Sequence, residues 1–126
     1  MSEMSKFVYY NANPDKEETE DCVTRAIKLA TGLEYDTIRA MLELSAEHYE
    51  CEELCVCCYQ YLLNEVFKFP MKLCSNFETV DEVIDMYPNN ILLIRIEGHL
   101  LCAIDSVIYD LWDSYDKIAT CYWICG

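Results

Sequence analysis

Basic residues are scarce in this chain: nine Lys and Arg stand against 23 Asp and Glu in 126 residues, a formal charge of −14. A protein that neutralises phosphates needs a basic face, so nucleic acid is not an expected partner. Histidine is rarer still, with only His48 and His99, and Gln60 is the single glutamine. Long apolar runs are missing too, because charges interrupt each hydrophobic stretch before it reaches the ~20 residues of a bilayer span. No membrane association is therefore expected. The start, Met1-Ser2-Glu3-Met4-Ser5, shows no basic region leading into an apolar segment. No signal peptide is expected, and the protein should stay in the cytoplasm where it is made. Repeats, low-complexity tracts and linkers are absent.

What the chain does have is hydrophobic bulk, 53% of its residues with 13% aromatic. That suffices for one well-filled core and a single domain over residues 1–126. The acidic surface keeps so greasy a domain in solution, and it would also suit a basic protein partner. Nine cysteines are many for this length. Their odd number and the clustering at Cys51, Cys55, Cys57 and Cys58 fit reduced core thiols better than a disulfide framework. His48, Cys51, Cys55 and Cys58 have a spacing that four zinc ligands could use. They fall on or beside a continuous amphipathic pattern from Leu54 to Phe67, however, so core packing is expected, with no metal and no cofactor.

Hydrophobic periodicity predicts helices over Cys22 to Ala30, Tyr35 to His48 and Leu54 to Phe67. Gly32 stands where the first should stop and Pro70 beyond the third. Thr79-Val80-Asp81-Glu82 is a capping box for a brief fourth helix to Met86. After the turn at Pro88-Asn89-Asn90 the pattern changes to period two, with strands at Ile91 to Ile96, His99 to Ile104, Val107 to Trp112 and Ile118 to Ile124. Phe7-Val8-Tyr9-Tyr10 is a short apolar run, and Met71 to Cys74 a further short strand. Helices first and antiparallel strands afterwards make an α+β domain, with N-terminal helices packed on a C-terminal antiparallel sheet.

The chemistry gathers around two stretches. Asp21 is a plausible N-cap that puts Cys22 in the first turn of a helix, where free N–H groups and the dipole favour thiolate, although Asp21 itself opposes it by charge. His99 opens a strand behind Gly98, a glycine that would let that strand start close to another backbone. A thiolate nucleophile needs a general acid for its leaving group, and imidazole suits neutral pH. A carboxylate on the next strand would fix the ring. With Asp105-Ser106 as a two-residue turn, residue 101 faces 110 and residue 99 faces 112, so Asp110 shares the His99 face. A three-residue turn would give that place to Asp113 instead. Asp110 is preferred.

Asp21-Cys22-Val23-Thr24-Arg25-Ala26-Ile27, then Ala30-Thr31-Gly32-Leu33-Glu34-Tyr35, and later Gly98-His99 with Val107-Ile108-Tyr109-Asp110-Leu111-Trp112-Asp113-Ser114 resemble small papain-fold cysteine-peptidase-like proteins of phages and bacteria. The resemblance spans about residues 11 to 124. It implies a papain-like cysteine protease fold and a thiol hydrolase or acyl transferase. Cys22 would be nucleophile, His99 base and acid, and an acidic residue the third member; Asp110-Leu111-Trp112 is similar to the family's Asn-Ser-Trp segment. A protein or peptide would be the substrate, in a host cytoplasm if the chain is phage-encoded. Such peptidases place a glutamine upstream of the nucleophile to bind the oxyanion. None stands there in this chain, so Asn13 or Asn11 would have to serve. That departure also fits a second reading, a catalytically weak papain-like acidic protein that binds and inhibits a host protein.

Overall fold

In the computed structural model, residues 7–10, 22–49, 56–110 and 113–126 are described. The chain is α+β, a six-stranded sheet with helices on both faces. The strands are β1 (Phe7–Tyr9), β2 (Met71–Leu73), β3 (Ile91–Ile96), β4 (His99–Ile104), β5 (Val107–Asp110) and β6 (Ala119–Ile124). The helices are α1 (Cys22–Thr31), α2 (Tyr35–Tyr49), α3 (Val56–Tyr61) and α4 (Val80–Met86). α3 widens into a single π-helical turn, Leu62–Val66. Among the described residues no helix is long and apolar enough to cross a membrane.

The sheet order is β1-β5-β4-β3-β6-β2, and its alternation sorts side chains to two cores. Leu93, Leu100, Cys102, Cys121 and Trp123 point to one face, where Val23, Ala26 and Ile27 of α1 and Ile38 and Leu42 of α2 cover them. Leu92, Ile94, Ile96, Leu101 and Ala103 point to the other, under Val80, Val83 and Ile84 of α4. α1 is nearly engulfed: Val23 through Ile27 are all buried. A helix buried over so much of its circumference, polar Thr24 and Arg25 included, lies between layers, here between the sheet and α2. Its end is set by Gly32, at φ +77°, whose N–H returns to the Lys28 carbonyl at 2.8 Å.

The sheet differs from the expected antiparallel one. β1 joins its edge parallel to β5, with Phe7↔Ile108, Val8↔Tyr109 and Tyr9↔Asp110. A parallel neighbour comes from far along the chain, so nothing local to Phe7–Tyr9 announces it. α4 also covers the face opposite the other helices, because its three buried residues need a second apolar surface. The capping box is formed as read: Thr79 Oγ1 accepts from the Glu82 N–H and Glu82 Oε1 from the Thr79 N–H.

Both hairpins that build the site turn in two residues. Ile96 pairs with His99 across Glu97-Gly98, and Ile104 with Val107 across Asp105-Ser106. Asp105 and Ser106 have φ of 49° and 72°, the two positive values that a type I′ turn requires. Gly98 also has positive φ, +74°, but a Cβ there would meet nothing within 4 Å. Turn geometry, and not a close backbone approach, is what asks for this glycine.

Candidate active site

Cys22 is the first residue of α1, and its helix lies along β4 with the thiol over the strand's beginning. The Leu100 backbone and the His99 ring both hydrogen-bond to it. His99 Nε2 lies 2.6 Å from Asp110 Oδ2, with both side chains more than nine-tenths buried. Nε2 is taken by the carboxylate, which leaves Nδ1 to face the thiol. Cys22, His99 and Asp110 therefore form one connected chain of contacts.

Asp110 stands there for a reason the β4–β5 hairpin alone does not give. The ladder of these strands consists of Ala103↔Ile108 and Ile104↔Val107; beyond it β5 runs beside β1. The Tyr10 N–H donates to the Asp110 carbonyl at 2.8 Å, and Tyr9 is its ladder partner. The edge strand from the start of the chain thus pins the backbone that carries the carboxylate. Asp113 is elsewhere: it is exposed, and its Oδ1 accepts the Tyr115 N–H at 2.9 Å, closing a local turn.

The electrostatics follow from these contacts. Burial pushes the Cys22 thiol up, but the hydrogen bonds from His99 and Leu100 and the charges of His99 and Arg25 outweigh it, and the net shift is downward. Burial pushes His99 down, and the hydrogen bonds and charges of Asp110 and Cys22 carry it up to about 9. Both shifts run toward a thiolate beside an imidazolium. Tyr10, Cys22, Arg25, Tyr109 and Asp110 help line a small pocket there, about 210 Å³ with its open mouth included.

The chain matches no family model, no curated protein and no solved structure.

Sequence reasoning passed over two groups that act on or with the thiol. Arg25 follows Cys22 at i+3, the spacing of one helix face, and that signal was legible. Tyr59 comes from α3, and no local pattern points to it. Asn11 and Asn13 lie outside the described residues, as do Cys51 and Cys55; of His48 and Cys58 only the backbone is described. Among the described residues no group of three or more His, Cys, Asp or Glu is placed to hold a metal ion. Cys22, Cys74, Cys102, Cys121 and Cys125 are free thiols.

Proposed function

We propose that the protein is a papain-like thiol hydrolase or acyl transferase with Cys22 as nucleophile. The observation that carries this reading is the buried 2.6 Å contact between His99 and Asp110, with Cys22 at a helix start on the ring's other side. A histidine that served packing alone would not need a carboxylate behind it and a lowered thiol in front.

The Cys22 thiolate attacks an acyl carbonyl carbon. Negative charge develops on the carbonyl oxygen, where N–H groups of the first turn of α1, which have no partner within the helix, can receive it. His99 gives its Nδ1 proton to the departing amine, alcohol or thiol, leaving an acyl-thioester on Cys22. Neutral His99 then deprotonates water or a second nucleophile, which attacks the thioester and releases the thiolate. Asp110 holds the ring in place and stabilises the imidazolium in both halves. The substrate is a protein or peptide, or another amide, ester or thioester.

A second reading, a protein that binds and inhibits a host protein on the same frame, is favoured by Leu73 and Phe77, 76% and 78% exposed. Labelling with an electrophilic acyl probe separates the two. A thiol hydrolase acylates at Cys22 under neutral conditions and loses the label in Cys22→Ala; equal, slow labelling of both chains would sink the hydrolase reading.

A further inference from the structure

We infer that the Arg25 side chain is an oxyanion donor of the site, aimed at the carbonyl oxygen of the acyl group that Cys22 attacks. The inference rests on the thiol-acyl reading above and adds a side-chain donor to the N–H groups of the first turn.

α1 turns one stripe toward the pocket: Cys22, Arg25, Ala26 and Leu29 all line it, at positions i, i+3, i+4 and i+7 of the helix. Leu100 and Asp110 line it from the sheet. Helical side chains lean toward the helix N-terminus, so the arginine stem runs back over the turn that carries Cys22. Its charge acts on the Cys22 thiol. Guanidinium and sulfur thus border one concavity, of about 210 Å³ with its mouth included. An acyl carbonyl that meets Sγ from this pocket carries its oxygen into the space beside the guanidinium.

The residue type fits the task. A cation kept for solubility belongs on the surface, but Arg25 is only 5% exposed. Water therefore screens its charge little. Five N–H donors in one rigid fork serve several acceptors at once, so a contact with the fold does not exhaust them. A guanidinium also stays protonated, and donates hydrogen bonds without entering the proton transfers of His99. The glutamine expected for this role does not stand upstream of Cys22, since Gln60 is the chain's single one. As the Sγ–C bond forms, the carbonyl π pair moves to oxygen, and Arg25 donates to that oxyanion. When the leaving group departs, the C=O bond re-forms and the guanidinium is unchanged.

The test compares two reactions of Cys22 that differ in whether an oxyanion forms. p-Nitrophenyl acetate acetylates the thiol through a tetrahedral oxyanion, and p-nitrophenolate leaves without needing a proton. Iodoacetamide alkylates the thiol with loss of iodide, and no carbonyl oxygen takes up charge. The burst of p-nitrophenolate reads the first and peptide mass spectrometry the second, each corrected by the Cys22→Ala chain. Both rates are taken on the alkaline plateau of their pH profiles, where the thiol is fully ionised and a change in its pKa drops out. In Arg25→Gln acetylation should fall about 100-fold and alkylation less than about threefold, the pattern of a lost oxyanion donor. Arg25→Lys keeps the charge without the fork, and should lose about tenfold in acetylation alone. The alkylation rate also reports an intact site; should Arg25→Gln lose it, Arg25→Lys carries the comparison. Equal losses in the two reactions, or no loss in either, overturn the donor and leave the hydrolase reading standing. A native chain that is alkylated at Cys22 but not acetylated there overturns the hydrolase reading, and the donor with it.

Discussion

Cys22 at the start of α1 and Cys102 inside β4 carry the same side chain in the same domain, and burial has opposite outcomes for them. The Cys102 thiol is pushed far up by burial, then by Cys125 and the Asp110 charge, with nothing to oppose these. Cys125 is pushed up to about 12 and Cys74 to about 11, again by burial first. Cys22 meets the same desolvation but also two hydrogen bonds and two cations, and its shift changes sign. Reactivity here is a property of what surrounds a thiol. Being a cysteine in the interior confers inertness.

The largest expected effect tests that contrast directly. Iodoacetamide at neutral pH should modify Cys22 at least 100-fold faster than Cys102 or Cys125, since each unit of pKa is a factor of about ten in thiolate. Cys22→Ala should abolish the fast phase. Mass spectrometry of the modified peptides reads both, and comparable rates at Cys102 would erase the distinction. Next comes the support of the ring. Asp110→Asn removes the carboxylate that raises His99, so turnover of an acyl substrate should fall by about 100-fold and neutral-pH alkylation of Cys22 by about tenfold. A variant with native rates would reduce the His99–Asp110 contact to packing.

The pH dependence has two signs. His99 is raised in the folded chain from its ordinary 6.5 to about 9. Its contribution to stability is present in full below 6.5 and lost as pH rises through about 9. Cys22 is lowered from its ordinary 9.0. Its contribution is present above 9.0 and lost as pH falls through the lowered value. Activity that needs thiolate and imidazolium together should therefore be bell-shaped, with its alkaline limb near 9. In Asp110→Asn that limb should move down. Rate against pH with an acyl substrate, beside thermal unfolding across the same range, checks both statements.

How much of this was legible depends on the range of the contacts. The helix at Cys22, its stop at Gly32 and the capping box at Thr79 and Glu82 are written in neighbouring residues, and they form as read. So does the two-residue hairpin at Asp105-Ser106, whose register gives Asp110 the same parity as His99. The parallel pairing of Phe7–Tyr9 with β5 is not legible, because strand partners a hundred residues apart leave no local mark. Neither is the interaction of Tyr59 with the thiol, which needs the packing of α3 against the sheet to be known first. Of the site, the residues were visible in sequence; what holds Asp110 in place was not.

The smallest effect is expected at Asp113, and it sharpens the choice between the two carboxylates. The Asp105-Ser106 turn has two residues and both carry positive φ, so the alternative that required a longer turn loses its premise. Asp113 spends its Oδ1 on the Tyr115 N–H in an exposed turn. Its carboxyl is raised by slight burial and by Asp116, with no contribution from His99. Asp113→Asn can still accept that hydrogen bond, and should cost less than about 1 kcal/mol of stability. It should change Cys22 alkylation by less than about twofold, the scale left once salt screens an exposed charge. Asp110→Asn and Asp113→Asn each remove one negative charge, so long-range electrostatics largely cancel between them. What remains is the local contact with the ring. Alkylation rates for the two variants, measured side by side at low and high salt, isolate it. A slowdown in Asp113→Asn equal to that in Asp110→Asn would show that net charge governs the thiol, and that the buried carboxylate has no special place.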